Sequence, residues 1–236
     1  MTANPFDITS YDDCGFDISH WNTGINFQLL GTTGNRKYCI LKLTEGTTDV
    51  DSEFIPFMRR AIPSNIKRFG VYHFAHHDNP IGQMQYFIEQ FIIARKQLNN
   101  PPEFLFMLDL ERGANPPLEA DGLYMVQYLQ GMHINPIIYC GYDFFSQNHT
   151  ILDDCPCMVA AYNNHPISPI PWRIPSATIY GFDFWQYEGD SLGPWAGPPL
   201  PGGSVGMDRS CFNLKKHPQG LDLYWDAQLI KTKQPT

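Results

Sequence analysis

Apolar residues along this chain fall into short runs separated by polar, Gly- and Pro-containing breaks, and their spacing is of two kinds. Cys14-Gly15-Phe16-Asp17-Ile18-Ser19, Lys37 to Thr44 and Arg68 to Ala75 are short and dense in apolar residues, which predicts strands. Phe54, Phe57, Met58 and Ile62 recur at helical spacing behind the candidate cap Asp51, and Pro63 stops them. Met84, Phe87, Ile88, Phe91 and Arg95 mark one face of a second helix, opened by Asn79-Pro80 and closed by Asn99-Asn100-Pro101-Pro102. Phe104 to Leu108 then forms an apolar run of the kind buried on both faces, and it ends in Asp109-Leu110-Glu111. A helical pattern through Leu123, Val126, Tyr128 and Leu129 follows Pro116-Pro117, and Asn135 to Cys140 reads as the next strand. This strand-helix-strand rhythm favours parallel pairing.

The second half changes character. Cys157 to Tyr162 and Ile179 to Tyr187 predict strands, and Val205 to Asp208 a short final one. Between them, Pro166-Ile167-Ser168-Pro169-Ile170-Pro171 cannot be a helix interior, and Gly193 to Gly203 is a Pro/Gly loop. Leu221 to Lys231 is at best a short helix. About eight strands against three or four helices predicts an α/β fold, an irregular TIM-like β/α barrel with reduced helices in the C-terminal half. Residues 1–236 are expected to form a single domain, with 1–13 as an N-terminal arm and 214–236 as a C-terminal extension.

Composition narrows the function. A net charge of -8 without a basic stripe argues against a nucleic-acid partner, and it leaves any binding to an anionic wall polymer to local contacts. The 14% aromatic content supplies rings for stacking on sugars. There is no apolar run of membrane-spanning length, and residues 1–20 lack the features of a signal peptide, so membrane insertion is not expected and the chain reads as leaderless. The six cysteines lack a CxxC pair and several fall in predicted strands, which favours small buried thiols over a disulfide framework. His73, His76 and His77 invite a metal reading, but no set of oxygen or sulfur partners stands beside them; neither a metal nor a cofactor is expected.

Two carboxylates at i and i+2 of a strand share one face, with Cα atoms roughly 6–7 Å apart. Asp109 and Glu111 therefore influence one another's proton affinity. An ion-paired strand end would produce the same pattern. What separates the readings is the set of other strand ends: Asp17, Glu45, His73, Tyr162, Gln186 and Asp208. In a parallel barrel the C-terminal strand ends share one face, so these residues converge, and clustered acids raise at least one carboxyl into the range of a general acid.

With these motifs in order the chain resembles glycoside hydrolase family 25, the Chalaropsis-type lysozymes. The resemblance spans roughly residues 14 to 213. It rests on Gly15-Phe16-Asp17-Ile18-Ser19, Lys42-Leu43-Thr44-Glu45-Gly46, Gly70-Val71-Tyr72-His73-Phe74, Asp109-Leu110-Glu111, Ile138-Tyr139, Val159-Ala160-Ala161-Tyr162, Phe184-Trp185-Gln186-Tyr187 and Met207-Asp208. It implies a lysozyme that cleaves the β-1,4 bond between N-acetylmuramic acid and N-acetylglucosamine in peptidoglycan glycan strands. Glu111 would be the acid/base, Asp109 the second carboxylate that polarises the substrate's acetamido group, and Asp17 and Asp208 flanking acids; net retention by substrate assistance would follow. Tyr72, Tyr162 and Trp185 would offer rings to sugar faces, and Gln186 a hydrogen bond. Glu45 is a further substrate-side candidate, although an ion pair with Lys42 at the barrel mouth explains it as well.

Two positions depart from the family pattern: Ser210 stands where Asn is usual, and Met158 where an aromatic residue is common. A chitinase-like hydrolase and a catalytically silent wall-binding module are the competing readings. The implied place of action is the cell wall, extracellular or periplasmic. A leaderless chain would reach it by non-signal-peptide export, by phage release or after leader removal, with secretion machinery or an inhibitor protein as conceivable partners. Asn148-His149-Thr150 is a glycosylation sequon with no leader to give it meaning.

Overall fold

Eight strands close into a barrel whose interior changes from apolar at one end to acidic at the other. The structure is a computed structural model that describes residues 11–22, 25–32, 36–111, 117–141, 144, 155–160, 183–189, 208–214, 216–231 and 234–235. The strands are β1 (Tyr11–Ile18), β2 (Tyr38–Glu45), β3 (Asp49–Val50), β4 (Arg68–Phe74), β5 (Phe104–Leu110), β6 (Ile137–Gly141), β7 (Cys157–Ala160), β8 (Phe184–Glu188) and β9 (Asp208–Asn213). Their order is β1-β9-β8-β7-β6-β5-β4-β2, and a parallel pairing of β1 with β2 closes the ring. β3 is a two-residue antiparallel addition to the end of β2. The expected irregular barrel is thus the observed fold, with most of the described helices in the N-terminal half.

The helices are α1 (Phe27–Thr32), α2 (Phe54–Ala61), α3 (Pro80–Lys96), α4 (Glu119–Gly131) and α5 (Leu221–Lys231). α3 begins as its sequence dictates: Pro80 occupies the first turn, and the Asn79 side chain accepts a hydrogen bond from the Gly82 N–H at 3.1 Å. Its buried Met84, Phe87, Ile88, Phe91 and Ala94 meet the outward faces of the strands. Asp51 does not cap α2 directly. It accepts a hydrogen bond from the N–H of Glu53, the residue before the helix.

Strand alternation divides the core into two layers. Outward-facing Phe16, Leu41, Val71, Phe106, Ile138, Val159 and Trp185 pack under the helices. Inward-facing Tyr38, Ile40, Leu105, Met107, Ile137, Met158, Phe184 and Phe212 fill the barrel. The 214–236 segment is more than an extension: Leu221, Tyr224 and Trp225 of α5 join the inward layer, with the Trp225 ring 5.3 Å from Tyr38 and 6.4 Å from Phe184. Arg68, at the start of β4, pairs with Asp222 at 3.3 Å and Asp226 at 2.8 Å, so α5 covers the N-terminal end of the barrel. Residues 11–13, assigned to the N-terminal arm from the sequence, pair with β9, while residues 1–10 lie outside the described residues.

All six cysteines are buried free thiols. The Pro-rich 166–171 segment, the 193–203 loop, the 148–150 sequon and 205–207 lie outside the described residues.

Candidate active site

The inward positions nearest the C-terminal end of the parallel strands are polar because the alternation that buries Gly15, Ile40, Met107 and Ile137 next presents Asp17, Lys42, Asp109 and Tyr139. A cleft of about 270 Å³ opens there, lined by Asp17, Ser19, Trp21, Lys42, Tyr72, Phe74, Met107, Asp109, Glu111, Tyr139 and Asp208. The four expected acids therefore meet in one cleft.

Asp208 arrives by an unexpected route. Its strand runs antiparallel to β1 and β8, and Asp208 is its first residue rather than its last. Reversed direction brings a strand's beginning to the same mouth, where Asp208 stands opposite Asp17 in the β1–β9 ladder.

The network below the cleft fixes these acids. Gln186, fully buried on β8, donates through Nε2 to Asp17 Oδ2 at 2.9 Å and to Asp208 Oδ2 at 3.4 Å. Its Oε1 accepts from the Tyr139 hydroxyl at 2.7 Å. Gln186 is thus a support beneath the cleft rather than part of its lining. One step deeper, Ser210 Oγ and Tyr38 Oη lie 2.7 Å apart, which gives the departure at Ser210 a structural role. Gly15 faces that tyrosine across the strand pair, and a Cβ there would fall 1.8 Å from the ring.

Burial dominates the electrostatics. It pushes the Asp17 carboxyl well up, and the charge of Asp208 adds to it, while the Gln186 hydrogen bond partly offsets both. Asp109 is likewise raised by burial, then by the neighbouring Glu111 and Asp17 charges. Glu111 is raised by burial, with Lys42 pulling the other way. Asp109 is 5% exposed, and its Oδ1 has no hydrogen-bond partner among the described residues. A buried acceptor left open in a cleft is suited to an incoming N–H donor.

Glu45 lies beside the cleft. Burial alone would raise its carboxyl, but hydrogen bonds from Lys42 at 2.5 Å and His76 at 3.2 Å bring it below its ordinary value. The expected Lys42–Glu45 pair forms. Lys42 also reaches the cleft wall and stands 4.9 Å from the centre of the Phe74 ring.

Two expectations are corrected by strand alternation. Trp185 precedes the inward Gln186 and so points outward; it is 1% exposed and packs against Tyr187, with ring centroids 5.9 Å apart. Its ring cannot meet a sugar in the cleft. His73, next to the inward Tyr72, also faces outward: its Nδ1 lies 2.8 Å from the Thr44 hydroxyl and its Nε2 3.1 Å from Gln83 Oε1, the oxygen that also accepts from the His76 N–H. Burial lowers its pKa to about 4, so the ring is a neutral link between β2, β4 and α3. His76 and His77 turn to Glu45 and Asp121. Among the described residues no group of three or more His, Cys, Asp or Glu is placed to hold a metal.

Tyr72 lines the cleft as expected, and Tyr162 lies outside the described residues. The sequence reading missed Trp21 and Ser19 on the loop after β1, and Lys42, Phe74, Met107 and Tyr139 as lining residues. Inward parity with Asp17 and Asp109 was the available signal for Lys42 and Tyr139.

The family profile described as Glycosyl hydrolases family 25 matches residues 16–193, three quarters of the chain. The chain belongs to this family. Among curated proteins none matches. A family 25 glycosyl hydrolase from Bacillus anthracis shares 21% identity at a TM-score of 0.61, covering 86% of this chain and 89% of that one. The bacterial lysozyme of Streptomyces coelicolor shares 22% at 0.63, over 93% and 97%. A family GH25 lysozyme from Aspergillus fumigatus shares 21% at 0.60, over 93% and 98%. At these identities the similarity speaks for the fold. The profile match runs from the last three residues of β1 through β8, with Asp17, Asp109 and Glu111. It ends before Asp208 and α5, so the fourth acid and the cover of the barrel floor lie beyond the matched segment of this family 25 hydrolase.

Proposed function

We propose that this family 25 hydrolase is a lysozyme, cleaving the β-1,4 bond between N-acetylmuramic acid and N-acetylglucosamine, and that it acts at the cell wall on peptidoglycan glycan strands. The observation that carries this reading is the cleft in which Glu111 stands at the end of β5 beside the buried Asp109, whose Oδ1 is open to a donor. Family membership supports hydrolysis of a glycan, and the similar structures include lysozymes from Streptomyces coelicolor and Aspergillus fumigatus. Among the described residues no helix is long and apolar enough to cross a membrane.

Glu111, raised by burial, holds its proton further up the pH scale than an ordinary glutamate and donates it to the glycosidic oxygen. As that C–O bond breaks, the carbonyl oxygen of the substrate's 2-acetamido group bonds to the anomeric carbon. Asp109 accepts the acetamido N–H and stabilises the positive charge that develops there. Water then attacks the anomeric carbon, giving its proton to the Glu111 carboxylate. The ring of the intermediate reopens, and two inversions give net retention. The charges of Asp17 and Asp208 add to the burial that raises the proton affinity of Asp109, and the acetamido N–H arriving at its open Oδ1, with the positive charge that develops beside it, favours its ionised form. Tyr72 forms part of the wall.

The test is release of muropeptides from purified peptidoglycan, followed by mass spectrometry. Glu111→Gln is expected to lose activity by at least about a hundredfold, the scale of one general acid, and Asp109→Asn to lose most of it. Activity of the parent is expected to fall as pH rises through the raised Glu111 value. Near-normal turnover by Glu111→Gln would remove the acid assignment. Chitin digestion without muropeptide release would identify a chitinase-like enzyme, and binding without cleavage a silent module.

A further inference from the structure

Trp21 is the most exposed large apolar side chain among the described residues, at 78%, yet it stands on the wall of the acidic cleft rather than on the outer surface. A ring left so largely in water at such a place keeps apolar area available to a ligand, even with one neighbouring ring beside it. The loop that carries it is built rather than loose. Asp51, its side chain 1% exposed, accepts hydrogen bonds from the His20 backbone N–H and from His20 Nδ1, both at 2.9 Å. The His20 ring lies against Trp21, with centroids 4.5 Å apart and planes tilted by 40°. Ser19 and Asn22 close the turn: the Ser19 N–H donates to Asn22 Oδ1 at 2.7 Å, and the Asn22 N–H to the Ser19 carbonyl at 2.9 Å.

The position also suits a task. β1 and β5 are separated in the barrel by β2 and β4, so Trp21 and Glu111 line one cleft from different sides. What enters between them must tolerate Asp17, Asp109, Glu111 and Asp208 and offer an apolar face to an indole. An uncharged pyranose fits: its axial C–H bonds form an apolar face, and its hydroxyl and amide groups project from the rim toward the carboxylates.

We propose that Trp21 is a sugar-stacking subsite, which takes the face of an N-acetylhexosamine of the glycan strand next to the bond that Glu111 breaks, with the buried Asp51 and the His20 ring fixing the angle of the indole. The identity of that sugar rests on the lysozyme reading; the stacking itself requires only a glycan.

The experiment uses the full chain with Trp21→Ala and Trp21→Phe, each also made in Glu111→Gln for binding without turnover. The probes are purified peptidoglycan for kinetics and tetra-N-acetylchitotetraose for calorimetric binding. Trp21→Ala is expected to raise KM and weaken tetrasaccharide binding roughly tenfold, with kcat changing much less, and Trp21→Phe to recover most of the loss. Thermal unfolding of both variants should match the parent, since the side chain is exposed. Unchanged KM and affinity in Trp21→Ala overturn the proposal. So does a tetrasaccharide that binds neither Glu111→Gln nor its Trp21→Ala partner. Losses confined to peptide-bearing muropeptides overturn it too, by assigning Trp21 to the stem peptide. A parent inactive on peptidoglycan would defeat the lysozyme reading alone, because the tetrasaccharide comparison still reports on stacking.

Discussion

At Asp109 a carboxyl group sits inside the barrel with one oxygen unpartnered among the described residues and three other acids around it, an arrangement chosen by chemistry against stability. The sign of its effect follows from its raised proton affinity. Below the ordinary value of 3.8 the group is neutral folded and unfolded, and its favourable contribution is fully present; that contribution is lost as pH rises through the higher folded value. Asp109→Asn should therefore stabilise the protein at pH 7 by about 1 kcal/mol and little at pH 3.5, as read from denaturant unfolding at the two values. A gain that is equal at both would show that the charge is not the cause. Asp109 and Glu111 were legible as a pair because an i, i+2 spacing on a strand leaves no choice of face. The same rule should have separated Trp185 from Gln186. Adjacent strand residues cannot both face the cleft, and burial gave the inward place to the glutamine.

At the scale of elements, strand direction is what the chain conceals. A run such as Asp208 to Asn213 has the same alternation whichever way it lies, and only pairing with β1 and β8 makes it antiparallel and places Asp208 at the mouth. The lower barrel raises a second constraint. Tyr38 crosses the interior to Ser210 and leaves no room over Gly15, while Trp225 of α5 packs against the same ring. Gly15→Ala is expected to destabilise by about 1–3 kcal/mol through overpacking, and shortening the neighbour with Tyr38→Ala should make the added methyl far less harmful. A double-mutant cycle on unfolding free energies measures that coupling; additive losses would show that the ring is not what excludes the side chain. α3 needed none of this context, because Asn79, Pro80 and the recurrence from Met84 to Phe91 state its start, its face and its period locally.

At the scale of the molecule, a net charge of -8 would repel the anionic wall polymer of the proposed function, so attraction between bulk charges would not drive that encounter. Raising salt from about 10 to 100 mM shortens the screening length from roughly 30 to 10 Å. That change should raise or preserve kcat/KM on purified peptidoglycan while leaving turnover of an uncharged oligosaccharide nearly constant. A steep fall on peptidoglycan would reveal a basic contact that outweighs the overall charge. By itself the sequence determined the strand and helix rhythm, the barrel class, the buried thiols and the acids at strand ends, because each follows from local spacing or from side-chain type. The tertiary structure decided which neighbours turn inward, how Asp208 reaches the mouth, that Gln186 supports two acids from below, and that α5 covers the floor. It also left Trp21 uncovered at the cleft. These depend on contacts between residues far apart in the chain, and no local pattern of hydrophobic and polar positions encodes which of them will meet.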